Sequence, residues 1–160
     1  MQSITYGEVS IKEIVDIIEK RVNERPYSNF QVVVGTDSQN FDKTKIVLVI
    51  ALLEETKGGI FFYEITRVKK ITNLKNKLYK ETQMSLDCAT ELMQAFEDKY
   101  DESGFDYTQI HFSIHVDAGF KGDTREVIPE IVGWVKSCGY EVHIKPESFV
   151  ASSIADKLSK

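Results

Sequence analysis

Two apolar runs in this chain, Val32-Val33-Val34-Gly35-Thr36-Asp37 and Ile110-His111-Phe112-Ser113-Ile114-His115-Val116-Asp117, each stop on an aspartate. Short apolar runs bounded by polar, glycine-containing segments read as buried strands. If the two strands are neighbours in one sheet, their terminal carboxylates stand side by side. Buried carboxylates repel one another and lose hydration, so the arrangement is unfavourable without a cation between them. A divalent-metal site at the end of a sheet is the first expectation.

The rest of the pattern says which sheet. Residues 10 to 24 read as a helix: Ser10 and Glu13 form a capping box, Ile11, Ile14, Val15, Ile18 and Val22 make one stripe, and Pro26 closes it. Strands come next at 31–36, 46–53 and 60–68, joined by short polar or glycine turns, which favours antiparallel pairing. Residues 73–99 form the longest helix. Then come the strand ending at Asp117, a helix over 124–137 stopped by Gly139, a strand over 140–144 and a last helix over 148–158. Strands alternating with helices imply parallel pairing in this half. The expectation is α/β: a five-stranded mixed sheet, three strands antiparallel then two parallel, with helices on both faces and one extra N-terminal helix.

Length and composition fit one domain over 1–160: the chain has 160 residues, 42% of them hydrophobic. No apolar run is long enough to span a bilayer, and no signal peptide is visible, so a cytoplasmic protein is expected. Cys88 and Cys138 read as reduced packing residues. Two cysteines and three scattered histidines offer no zinc-ligand spacing. The net charge of −5 argues against nucleic-acid binding by bulk charge alone, though not against a local basic patch. There is no phosphate-binding GxxxxGK[ST] loop, no GxGxxG after a strand and no GxSxG elbow.

The long helix carries an anomaly. Its inward stripe is Leu74, Leu78, Glu81, Ser85, Cys88, Ala89, Leu92 and Phe96, with Glu81 its single charge. A charge facing a sheet needs a partner. The last helix brings Asp156 to the edge of its apolar stripe of Ala151, Ile154, Ala155 and Leu158. Glu147, just before that helix, competes for the same role.

That element order, with an acid on the first long strand, on the following helix, at the end of the fourth strand and on the last helix, resembles the ribonuclease H-like superfamily. The segments Val34-Gly35-Thr36-Asp37-Ser38-Gln39, His115-Val116-Asp117-Ala118-Gly119, Ile144-Lys145-Pro146-Glu147-Ser148 and Ala155-Asp156-Lys157 resemble the bacterial YkuK-type proteins of that superfamily over nearly the whole chain. The resemblance implies that Asp37, Glu81, Asp117 and Asp156 are catalytic metal ligands, with Mg²⁺ or Mn²⁺ as cofactor. Asp37 would bridge two ions, Glu81 and Asp117 would flank it, and Asp156 would complete the second site. Taken singly, Asp37 and Asp117 read equally as turn formers, Glu81 as a partner of Lys77, and Asp156 as a charge beside Lys157 and Lys160.

His115 shares a strand face with Asp117 and is a candidate for proton transfer to the leaving group; a hydrogen-bonded strand histidine is the alternative. Arg67, Lys69, Lys70, Lys75, Lys77 and Lys80 precede Glu81, and Lys121 and Arg125 come after Asp117. They are candidate phosphate contacts, or else a solvated basic face. The resulting expectation is a metal-dependent nuclease acting on RNA, an RNA–DNA hybrid or structured DNA by a two-metal mechanism. The alternatives are a non-catalytic module of the same fold that binds nucleic acid or a protein, and a strand-joining enzyme. The sequence leaves the oligomeric state open.

Overall fold

Alternation within one strand, Phe30–Asn40 (β3), organises the molecule. Its even-numbered Val32 and Val34 join one core and its odd-numbered Val33 joins another, so the strand is covered on both faces. In the computed structural model, which describes residues 1–55 and 57–158, β3 pairs antiparallel with Thr44–Glu54 (β4), and β4 pairs antiparallel with Gly58–Val68 (β5). Ser159 and Lys160, the end of the domain expected over 1–160, and the side chain of Ala155 lie outside the described residues. On its other side β3 runs parallel to His111–Val116 (β6), which runs parallel to Glu141–His143 (β7).

The sheet has seven strands, not five. The two extra ones are Gln2–Ser3 (β1) and Gly7–Glu8 (β2), a small hairpin on the outer edge of β5, giving the order β2-β1-β5-β4-β3-β6-β7. Two-residue strands carry no period to read. Pairing, helped by Gly7 at φ 72° and by reciprocal hydrogen bonds of 2.8 Å between Met1 and Val9, sets them.

One face of the sheet is covered by Ile11–Glu24 (α1), Leu74–Ser103 (α2) and Ile128–Ser137 (α3), the other by Val150–Leu158 (α4). The capping box of α1 forms as expected, with Ser10 and Glu13 exchanging bonds of 3.1 and 3.2 Å. The helix expected from 124 divides into a 3₁₀ turn, Arg125–Val127, and α3. Pro129, which lacks an N–H, is tolerated only in a first helical turn, and so marks where the α-helix starts. Leu74 is exposed rather than inward, and of the two cysteines only Cys88 is buried. Among the described residues no helix is long and apolar enough to cross a membrane.

α4 lies close to β3 because Gly35 has no side chain: a Cβ there would sit 3.1 Å from Ala151 Cβ. This contact brings the last helix next to the end of the strand that carries Asp37.

Candidate metal centre

The parallel register of β3 and β6 pairs Thr36 with Val116. One residue further, Asp37, still within β3, stands beside Asp117, which lies just past the end of β6. The neighbouring residue, Ser38, points by alternation to the opposite face, where α2 lies. Its hydroxyl donates a 2.6 Å hydrogen bond to Glu81 Oε1, while its backbone N–H donates 2.9 Å to Asp37 Oδ1. One step back, Thr36 Oγ1 and Ser85 Oγ are 2.6 Å apart and fix α2 against the same strand. Asp37, Glu81 and Asp117 thus line one open cavity of about 230 Å³, together with Ser38, Lys77 and Asp123.

The carboxylates disturb one another. Asp37 is pushed up to about 7, first by burial, then by its hydrogen bond with Asp117 and the charge of that residue; the Ser38 N–H opposes the rise and Asp156 adds a little. Glu81, 8% exposed, is also pushed up to about 7. Burial is the main cause, opposed by the Ser38 hydroxyl and reinforced by Asp37 and Asp117, while Lys77 pulls the other way. Asp117 Oδ1 is buried without a hydrogen bond, although Lys145 Nζ lies 3.3 Å from it. That contact is an ion pair lacking hydrogen-bond geometry, and the lysine is more than half exposed, so it compensates the carboxylate only in part.

A divalent cation fits this place. Its three carboxylates offer oxygen alone, as hard Mg²⁺ and Mn²⁺ prefer. Asp117 has an orphaned buried oxygen, and Asp37 and Glu81 are pushed towards the neutral form chiefly by burial and then by neighbouring carboxylates, a cost that a cation would relieve.

The other candidates are placed differently. Asp156 is exposed on α4 and acts on Asp37 through its charge, from outside the cavity lining. Glu147 is exposed in the turn before α4, also outside the lining. His115 is buried under α4, where its Nδ1 accepts the Phe149 N–H at 3.3 Å. Burial, then His143, pushes it down to about 4, so its imidazole stays neutral. Of the basic residues, Lys77 lines the cavity; Arg67, Lys69, Lys70, Lys75, Lys80, Lys121 and Arg125 are exposed, and Lys75 pairs with Glu126 at 3.1 Å. Three groups at the site escaped the sequence reading. Ser38 draws notice only as a neighbour of Asp37, Asp123 lies in the segment between β6 and the following helix, and Lys145 is brought in by a 2.9 Å bond from its N–H to Ala118 O.

The chain belongs to the ribonuclease H-like family, whose sequence model matches residues 13–160. Within that family it is of the YkuK type: it is 27% identical over 164 residues to the uncharacterized protein YkuK of Bacillus subtilis (strain 168), a match covering 99% of this chain and 95% of that protein. Solved structures with a similar outline include the Mos1 transposase catalytic domain with raltegravir and Mn, at 14% identity and TM-score 0.38 over 96% of this chain and 75% of that one. The catalytic domain of Mos1 mariner transposase is similar at 14% identity and TM-score 0.36, over 96% and 74%.

Proposed function

We propose that this protein is a divalent-metal-dependent nuclease of the cytoplasm, hydrolysing phosphodiesters in RNA, an RNA–DNA hybrid or structured DNA. One observation carries the reading: Asp37, Glu81 and Asp117 share a cavity in which two of them are pushed up to about 7. Asp37, Asp117 and Glu81 would hold Mg²⁺ or Mn²⁺, with Asp156 as the fourth acid. When bound, the ions supply an activated water and charge stabilisation at the leaving oxygen. The chain's own groups do the positioning. Ser38 fixes the Glu81 carboxylate from one face and the Asp37 carboxylate from the other. Lys77, in the cavity wall, is placed to meet a phosphate oxygen; the exposed Arg67, Lys69, Lys70, Lys80, Lys121 and Arg125 would track the flanking backbone. His115, neutral and engaged with Phe149, serves better as a support for α4 than as a proton donor.

Lys145 favours the second reading, a non-catalytic module binding nucleic acid or a protein. Its ammonium already stands beside Asp117, where an ion would otherwise be the compensating charge. A cleavage assay separates the two. End-labelled single-stranded RNA, RNA–DNA hybrid, duplex DNA and a branched junction would each be offered with Mg²⁺, Mn²⁺ or EDTA. Metal-dependent cleavage that disappears in Asp37→Asn supports the nuclease and names its substrate. Equal inactivity of both proteins supports the module.

A further inference from the structure

The three histidines, scattered in sequence, gather at the other edge of the sheet. The parallel register of β6 and β7 pairs Ser113 with Glu141 and His115 with His143. His111, Ser113 and His115 share one face of β6, and Glu141 and His143 share that face of β7. Glu141 therefore falls between His111 and His143 and meets both: its Oε2 is 2.7 Å from His111 Nε2, and its Oε1 is 3.0 Å from His143 Nε2. One ligand atom from each of the three residues fits within a 4.8 Å span.

We infer that His111, Glu141 and His143 form a binding site for a borderline transition-metal dication, of which Zn²⁺ is the test case, separate from the acidic centre. Ligand chemistry separates the two sites. Imidazole nitrogen suits Zn²⁺, Co²⁺, Ni²⁺ and Cu²⁺, whereas carboxylate oxygens alone suit Mg²⁺ and Mn²⁺. An ion with Zn–N and Zn–O distances of about 2.0–2.2 Å spaces its ligand atoms by roughly 3.3–3.6 Å in a tetrahedron. The observed cluster reaches that spacing by small side-chain rotations on a fixed sheet. Three protein ligands leave the fourth position to water, and all three residues are accessible enough to load from solvent.

Two surrounding features fit a loaded site. Ser113 Oγ is fully buried, has no hydrogen-bond partner among the described residues, and stands opposite Glu141. It is a free donor for the outer side of a ligating carboxylate. The His115 ring meets His143 edge-on at 5.5 Å and limits its rotation. A bound ion would tie the three-residue edge strand β7 to β6, the strand whose end carries Asp117. The inference is independent of the nuclease reading, because none of its ligands lines the acidic cavity.

The test uses the full chain stripped with chelator, at about pH 7.5, titrated with Zn²⁺ by calorimetry and with Co²⁺ by visible absorption. A single Zn²⁺ per chain should bind, survive millimolar Mg²⁺, and give a Co²⁺ spectrum with nitrogen ligation. His111→Ala and His143→Ala should each weaken binding by more than about tenfold, the low end of what outer-shell partners carry. Glu141→Gln, which keeps the side-chain shape, covers the case in which a histidine variant does not fold. Asp37→Asn should bind Zn²⁺ as the wild type does. Zn²⁺ binding untouched by the histidine and Glu141 variants, or lost in Asp37→Asn, or displaced by millimolar Mg²⁺, overturns the assignment.

Discussion

Glu81→Gln should stabilise the metal-free protein at pH 8 and do much less at pH 5. Glu81 ordinarily titrates at 4.5 and here is pushed up to about 7, chiefly by burial. Between those values the folded chain holds a proton that the unfolded chain has released, so stability falls as pH rises through the window. The effect is small near pH 4.5 and complete above pH 7. At 1.36 kcal/mol per unit, the shift amounts to about 3 kcal/mol of destabilisation at pH 8 and under about 1 kcal/mol at pH 5. Glutamine keeps the volume and can still accept the Ser38 hydroxyl at its carbonyl oxygen, while removing the charge. Asp37 titrates in the same window and its charge adds to the Glu81 shift, so the difference between the proteins reports Glu81 together with its coupling to Asp37. Urea unfolding in EDTA at the two pH values measures it. The variant's advantage at pH 8 should reach about 3 kcal/mol, or roughly 6–12 °C in Tm for a chain of this size. Millimolar Mg²⁺ should then narrow the gap, by stabilising the wild type more. A variant equally stable relative to wild type at both pH values would refute the electrostatic reasoning, and a uniformly destabilised one would show that Glu81 is held by ordinary packing.

Other perturbations probe single contacts. Lys145→Met removes the ammonium beside Asp117 and should tighten Mn²⁺ binding by roughly two- to fivefold, a small effect because the lysine is well solvated; weaker binding in calorimetry would mean that Lys145 helps to orient the carboxylate. Gly35→Ala places a methyl 3.1 Å from Ala151 Cβ and should destabilise by about 1–3 kcal/mol, with Ala151→Gly restoring part of the loss in a double-mutant cycle. Ser38→Ala removes the bond that lowers the Glu81 pKa, so the stability midpoint near pH 7 should move upward. A midpoint that stays or falls would show that the hydroxyl does not hold the charged form.

Periodic features of this fold are legible in the sequence. The meander β3–β4–β5 and the two aspartates that follow the apolar runs of β3 and β6 come from short apolar runs, and the inward stripe of α2 with Glu81 in it comes from spacings of three and four residues. Features that depend on contacts between distant segments are not legible in this way. β1 and β2 are too short to carry a period and exist because β5 offers an edge. Leu74 lies on the extrapolated stripe of α2 but belongs to its first turn, beyond the sheet, and so lines the cavity mouth instead. Asp156 is one residue past its apolar stripe, and a one-residue offset turns a helix position by about 100°, enough to leave it exposed on α4 and acting on Asp37 only through charge. The histidine cluster needed the β6–β7 register, which no local spacing contains.

Strand parity explains why the acids meet at this end of the sheet. Asp37 and Ser38 are consecutive, so they face opposite sides, and one short stretch of β3 addresses both layers. The odd side meets Asp117 and the α4 layer; the even side meets Glu81 through Ser38. The core under each face is largely apolar, and its few buried hydroxyls could not compensate three carboxylates within one layer. Past the end of β6 the two layers open into a common cavity, where the acids could share a charge that comes from outside the chain. Anything binding there contacts α2 and the β6 end together, so its binding energy is set against the relative placement of the two layers. Gly35 and the Thr36–Ser85 contact fix that placement from within β3, and a substitution at either should weaken cation binding without touching a ligand.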